Sequence, residues 1–280
     1  MSALPAYRFA GGTAVVTGAA SGIGEQLAHG LAARGSALVL LDRDAERLES
    51  VASAVRAAHP RISLSTIVVD LADQAAIATA AERILRENPR ITLLVNNAGV
   101  ALGGRFEQLT LEEFDWVMSI NFRAPVALTH HLLPRLVASP GSHLVNVSSV
   151  FGLIGPAGQS AYSSSKYAVR GFTEVLRAEL AEHQVGVTTV HPGGIRTRIA
   201  QTARTGSGVT AQEQEAGQRS FAAMLTYPPD KAAATILDGV RRRRGRVLIA
   251  WSAIVPDLLV RLMPVSYTRI LQRLSKGARP

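Results

Sequence analysis

The chain has 280 residues, 47% hydrophobic and 18% charged. That balance excludes a disordered tract and can build the core of one large α/β domain or two small ones. There is no cysteine, which removes disulfides and Cys-ligated metal and fits a reducing compartment. The net charge is +9, but only three of the thirty basic residues are lysine and no nucleic-acid motif accompanies them, so the charge reads as arginine-rich composition with affinity for phosphate-bearing ligands.

In chain order the sequence predicts a strand over 13–17, a helix over 23–34 that stops at Gly35, a strand over 37–41 and a helix over 45–58. A strand over 64–69, a helix over 74–87, a strand over 92–95 and a long helix over 111–136 follow. The remainder is a strand over 143–147, a helix over 161–183, a strand over 187–190, a helix over 230–242 and a strand over 247–250. The strands are nearly continuous in Val, Leu and Ile, as strands buried on both faces must be. Repeated βα units imply a doubly wound, Rossmann-type parallel sheet of about seven strands with helices on both faces. No linker or repeat divides the chain, so residues 1–280 are expected to form a single domain. Two stretches break the rhythm: 198–226, polar and without strand signal, expected to be a mobile lid, and a tail over 251–280. With no signal-peptide pattern and no apolar run of ~20 residues, the expected location is cytoplasmic.

The first strand runs into Thr17-Gly18-Ala19-Ala20-Ser21-Gly22-Ile23-Gly24 and a helix. Glycines there permit a tight turn and close approach of a pyrophosphate, and the helix N-terminus offers N–H donors and a positive dipole end. Asp42 closes the second strand 18 residues after Gly24, where a carboxylate hydrogen-bonds adenosine ribose hydroxyls. Asp42 and the uncharged Ser21 favour NAD; Arg43, which could pair with a 2′-phosphate, keeps NADP open. Further on, Tyr162 and Lys166 stand four apart at the start of a predicted helix and so share one face. A free phenol has a pKa of about 10, and a lysine cation beside it is expected to lower that value and make Tyr162 a proton-transfer group.

The pattern TGxxxGxG at 17–24, then Asn96-Asn97-Ala98-Gly99, Ser149 thirteen residues before Tyr162, the Tyr162/Lys166 pair and Pro192-Gly193 occur in an order that resembles the short-chain dehydrogenase/reductase family over about residues 10–200. The resemblance implies a strand order of 3-2-1-4-5-6-7 and Tyr162 as general acid/base. It further implies that Lys166 also binds the nicotinamide ribose, that Ser149 hydrogen-bonds the substrate oxygen and that Asn121 holds a water of a proton relay. Ser148, at the wrong distance from Tyr162, is expected to support the strand end. Gly18, Ser21, Gly22, Ile23 and Gly24 would cradle the pyrophosphate. Asp70 and Leu71 would meet the adenine, while Asn97, Ala98 and Gly99 would lie beneath the cofactor, with Asn97 bracing the strand. Pro192, Gly193, Ile195 and Thr197 would contact the carboxamide. No metal is required, and the seven histidines show no ligand spacing beyond the adjacent pair His130 and His131.

Substrate contacts are expected from 101–104, from the apolar 151–154 and from 198–226, which suits a hydrophobic secondary alcohol or ketone. The resemblance also implies a homodimer or homotetramer, through 111–136 and 161–183. Competing readings are a cofactor-binding regulatory protein without turnover and a basic-tailed protein of a membrane surface or nucleic acid. In the tail, Leu258, Leu259, Leu262 and Met263, then Ile270, Leu271 and Leu274, fall at helical spacing among Arg261, Arg269, Arg273 and Lys276. Pro256 and Pro264 are expected to break this segment into pieces too short for a strong interfacial helix, which favours packing against protein over a membrane.

Overall fold

The computed structural model describes residues 4–270. Short runs rich in Val, Leu and Ile are buried along most of their length, except in the two strands at the sheet edges, which are only partly buried. These runs form β1 (Thr13–Thr17), β2 (Ala37–Asp42), β3 (Leu64–Val68), β4 (Ile91–Asn96), β6 (His143–Val147), β7 (Gly186–Pro192) and β9 (Arg246–Ile249). All neighbours pair in parallel in the order β3-β2-β1-β4-β6-β7-β9. Counting only the strands of this sheet, that is the 3-2-1-4-5-6-7 order implied by the resemblance. The two-residue strands β5 (Leu102–Gly103) and β8 (Arg204–Thr205) pair with each other outside it.

The pleat sends alternate residues to opposite layers. Val16, Leu38 and Leu40 pack with Leu27 and Leu31 of α1 (Gly22–Ala32), Leu48 and Val55 of α2 (Ala45–Ala58), and Ile236 and Val240 of α9 (Pro229–Arg241). Val15, Val39, Leu41 and Leu94 face the other layer, where they meet Ile77 and Ile84 of α3 (Gln74–Glu87), Leu128 and Leu132 of α5 (Ala124–Val137), and Leu176 of α6 (Ser160–Glu179). Helix α3 shows the logic at sequence level. Ile77, Ala80, Ala81 and Ile84 recur at i, i+3, i+4 and i+7, and Asp73 caps the helix by accepting from the Ala75 and Ala76 N–H groups. Truncating Ile84, fully buried, to Ala should cost about 3 kcal/mol.

Three expectations need correction. The helix expected over 111–136 is α4 (Leu111–Met118), a π-helical turn at Ser119–Arg123, and α5. The stretch 198–226 does contain a strand, β8, set between α7 (Ile199–Thr202) and α8 (Ala211–Met224); two residues are too few to register as periodicity. Pro256 does not break the tail, because α10 (Trp251–Leu262) passes through it. Proline at 256 offers no N–H to the carbonyl of Ser252, an exposed residue. Leu271, Arg273, Leu274 and Lys276 lie outside the described residues.

Candidate functional site

Every sheet strand delivers its carboxyl end to one side of the molecule. There the loops enclose a cavity of about 740 Å³, at the crossover between β1 and β4 where strand order reverses. The loop after β1 needs glycine on physical grounds. Gly18 and Gly22 have φ of +66° and +59°, and a side chain at Gly24 would collide with the Gly18 carbonyl. Ser21 does not cap α1 with its side chain, whereas α2, α3 and α4 are capped by Asp44, Asp73 and Thr110. The positive end of α1 is thus left facing the cavity. Asn97 braces the loop from behind, donating its Nδ2 to the carbonyls of Thr17 (2.9 Å) and Gly18 (3.2 Å). Thr17 Oγ1 accepts from the Asn97 and Ala98 N–H groups, both at 3.0 Å.

Asp42 ends β2 with its carboxylate oriented by two N–H donors, those of Ala20 (3.0 Å) and Asp44 (3.1 Å). Arg43 and Arg47 line the cavity beside it, and Asp70 and Leu71 line it at the end of β3. Asp70 Oδ1 accepts from the Ala72 N–H at 2.9 Å, an Asx turn that fixes the carboxylate.

Tyr162 and Lys166 lie one turn apart on the buried face of α6, with the Lys166 ammonium 5.7 Å from the centre of the Tyr162 ring and 3.2 Å from the Val147 carbonyl. Burial pushes the Tyr162 phenol above its ordinary value, and the Ser149 hydroxyl beside it pulls the other way. Burial also draws Lys166 down to about 8. The lowering of Tyr162 expected from Lys166 is therefore overturned in this geometry: desolvation dominates, and the ammonium pays the same penalty. Ser148 donates to the Lys166 carbonyl at 2.8 Å, so it ties the end of β6 to α6.

Of the residues singled out from sequence, Gly18, Ser21, Gly22, Ile23, Asp42, Arg43, Asp70, Leu71, Asn97, Ala98, Gly99, Ser149, Tyr162, Lys166, Pro192, Gly193, Ile195 and Thr197 all line this cavity. Gly24 and Asn121 do not. Gly24 sits behind the loop, where its lack of a side chain allows close packing. Asn121, in the π-turn, stands one layer back: its Oδ1 accepts from the Val100 N–H (2.8 Å), and its Nδ2 donates to the Val100 carbonyl and to Ser165 Oγ (3.0 Å each). It clamps the strand-end loop to α6.

The apolar wall comes from Val100, Phe151, Ile154, Ile199, Phe221, Met224 and Leu225. Residues 101–104, expected there, are absent from the lining because Leu102–Gly103 is spent on the ladder with Arg204–Thr205. That ladder tethers the first part of the 198–226 stretch, reinforced by the Arg204 guanidinium 3.9 Å over the Trp116 ring and by the Ser207 N–H donating to Glu113 (2.9 Å). Ser252 and Pro256 of the tail line the cavity, in keeping with the expectation that the tail packs against protein and contributes to the pocket, whereas sequence patterns missed His191 and Tyr267. His191 is buried under Ser149, with Nδ1 donating to the Ser149 carbonyl at 3.1 Å, and burial lowers it to about 4. Tyr267 accepts from the Gly155 N–H (3.2 Å), tying the tail to the loop that carries Ile154. Such contacts are non-local and leave no spacing to read.

The family model for short chain dehydrogenases matches residues 12–208. The Mycobacterium tuberculosis protein SadH is 36% identical over 266 residues, covering 94% of this chain and 95% of that one. The chain therefore belongs to the short-chain dehydrogenase/reductase family of nicotinamide-dependent oxidoreductases. A family member from Burkholderia phymatum, solved in complex with NAD, superposes with a TM-score of 0.83 at 26% identity, over 91% of this chain and 95% of its own. A short-chain dehydrogenase from Sphingobium yanoikuyae in complex with NADPH gives 0.75 at 29% identity, over 96% of each. Among the described residues no helix is long and apolar enough to cross a membrane.

Proposed function

We propose that this protein interconverts a hydrophobic ketone and its secondary alcohol, with Tyr162 as the group that moves the proton and NAD as the preferred cofactor. The observation that carries this is one continuous cavity. Ser149, Tyr162 and Lys166 line the same space as the glycine loop and Asp42. The loop suits a dinucleotide: its glycines leave the backbone bare at an uncapped helix end. There Gly18, Ser21, Gly22 and Ile23 would hold the pyrophosphate, with Gly24 packing behind them. Asp42 would hold the adenosine ribose, Asp70 and Leu71 the adenine, and Asn97, Ala98 and Gly99 the underside. Lys166 would hold the nicotinamide ribose, and Pro192, Gly193, Ile195 and Thr197 the carboxamide. When bound, the cofactor supplies or accepts the hydride at the substrate carbon.

The chain's own residues do the rest. Ser149 donates a hydrogen bond to the substrate oxygen. In reduction Tyr162 gives its phenolic proton to that oxygen; in oxidation it takes the proton back. With its pKa raised, the phenol is protonated near neutrality, the form that reduction requires. Asn121 acts through Val100 and Ser165 as a positioning residue. Residues 198–226 serve as a lid, and its apolar inner side, with Phe221 and Met224, excludes water and favours a hydrophobic substrate. The carboxylate of Asp42 opposes a 2′-phosphate, which is why NAD is preferred; Arg43 and Arg47 nearby leave NADP as the weaker ligand. We read the whole chain as one domain that assembles through α4 and α6, where Leu111 and Val175 are exposed.

A screen of hydrophobic ketones and secondary alcohols, followed by NADH absorbance, tests the reaction. Turnover with NADH that vanishes in Tyr162→Phe is the expected result. Turnover that survives this substitution removes Tyr162 from the chemistry.

A further inference from the structure

Helix α10 has two unlike sides. Inward, Ala253 and Asp257 are buried, and Asp257 binds Arg246 of β9 and, at 3.1 Å, Arg261 one turn on. Ser252 and Pro256 line the cavity. Outward, Trp251, Ile254, Val255, Leu258 and Leu262 recur at i, i+3, i+4, i+7 and i+11, and Met263 and Val265 extend the stripe past the helix end. Trp251 is 76% exposed, Leu262 73% and Val265 79%. Seven large apolar side chains gathered on one surface mark a contact site rather than ordinary scatter.

The charges around the stripe choose between occupants. Asp257 is the single acidic residue in 251–270, and it is buried and paired twice over. The exposed charges of the segment are Arg261 and Arg269. A second copy docking here about a two-fold axis would bring like patches together, with no free carboxylate in the segment to meet the arginines, on chains that each carry +9. An anionic lipid surface complements both properties: the acyl boundary takes the apolar stripe and the headgroups take the arginines. Of the two prolines expected to break the segment, Pro256 does not, since α10 is continuous through it; α10 ends at Leu262, ahead of Pro264.

We propose that the outer face of α10 docks on an anionic bilayer surface. The wall of the cavity formed by Ser252 and Pro256 then lies within one helix diameter of lipid, about 10 Å, so a hydrophobic substrate has a short path from the bilayer. The docking stands apart from the reaction proposed above and is tested without it.

The full chain is sedimented with vesicles of phosphatidylcholine alone and of phosphatidylcholine containing phosphatidylglycerol. Preference for the anionic vesicles by roughly thirtyfold, the effect of two cations near the surface, is expected and should weaken with salt. Trp116→Phe leaves Trp251 as the sole tryptophan, and its emission should shift to the blue on anionic vesicles. Leu258→Glu/Leu262→Glu should lose vesicle binding and keep its oligomer mass by sedimentation equilibrium. The proposal is overturned by equal binding to both vesicle types, by unchanged Trp251 emission at saturating lipid, or by binding that persists in the double variant, which would trace it to diffuse positive charge. A fall in oligomer mass in that variant also overturns it, in favour of a second copy. If the double variant fails to fold, the wild-type and Trp251 measurements decide.

Discussion

At the amino ends of the strands, Arg243 donates to the carbonyls of Pro5 (3.1 Å) and Ser142 (2.9 Å) and to that of Gly141. It also donates to His143 Nδ1 (3.0 Å), and its guanidinium lies 5.0 Å from the centre of the Tyr7 ring. An arginine can only donate, so His143 is held as the neutral tautomer with Nε2–H given to Thr188 Oγ1 at 2.7 Å. At the carboxyl ends the polar groups are oriented by the backbone but keep a side toward the cavity: Asp42 by Ala20 and Asp44, Lys166 by Val147. One end closes its polar groups on one another and gains rigidity; the other leaves them available to a ligand. The same parallel sheet separates a region built for stability from one built for chemistry.

Substitutions at each end should therefore fail differently, and the sharpest case is Tyr162→Phe. It should lower kcat roughly 10³-fold, the usual worth of a positioned acid/base, while NADH titrated by fluorescence binds nearly as before. In the wild type, oxidation needs the phenolate and should accelerate as pH rises, whereas reduction needs the phenol and should not. At the opposite end, Arg243→Ala removes the donor to the buried Ser142 carbonyl and to the buried His143 Nδ1 and should destabilise the fold by about 2 kcal/mol, seen in urea unfolding, with kcat of the folded fraction unchanged. A loss of kcat there would erase the division between the two ends.

Asp42→Ala should change neither kcat with NADH nor stability by much, but should shift the NADPH-to-NADH affinity ratio about tenfold toward NADPH, or about 1.4 kcal/mol. An unmoved ratio assigns the preference elsewhere. A further, pH-graded effect is acid sensitivity. Burial holds His143 at about 3 and His191 at about 4, below their unfolded value of 6.5. Between these limits the unfolded chain binds protons that the folded chain refuses, so stability present above pH 6.5 is lost as pH falls through that window. Each histidine adds a slope of up to about 1.4 kcal/mol per pH unit. In His143→Gln the decline of Tm with pH below 6.5 should be shallower; an equal slope would mean that His143 is not the group taking up the proton.

How far the sequence reaches follows from how local each signal is. Strands at 13–17 and 143–147 and helices at 45–58 and 74–87 are predicted with the bounds observed, because buried strands and capped amphipathic helices write their period into consecutive residues. The glycine loop and the Tyr162/Lys166 pair are legible for the same reason. What escaped is non-local or depends on solvent. The Leu102–Arg204 pairing joins residues a hundred positions apart through backbone alone. Tyr267 reaches Gly155 by a single hydrogen bond. The helix runs through Pro256 although proline offers no N–H to the Ser252 carbonyl, and the raised pKa of Tyr162 follows from burial rather than from its neighbour four residues on.

The π-turn at Ser119–Arg123 makes chain length itself a parameter of the site. A π-turn holds one residue more than the α-helical turn it interrupts. Deleting any residue from it would restore a regular helix and rotate α5 against α4 by about 100°, carrying Asn121 away from Val100 or α5 away from the sheet. Substitutions across 111–137 can thus be judged one at a time, whereas insertions and deletions cannot. Recombination between relatives should keep this block whole and place its crossovers in α8, no residue of which is buried.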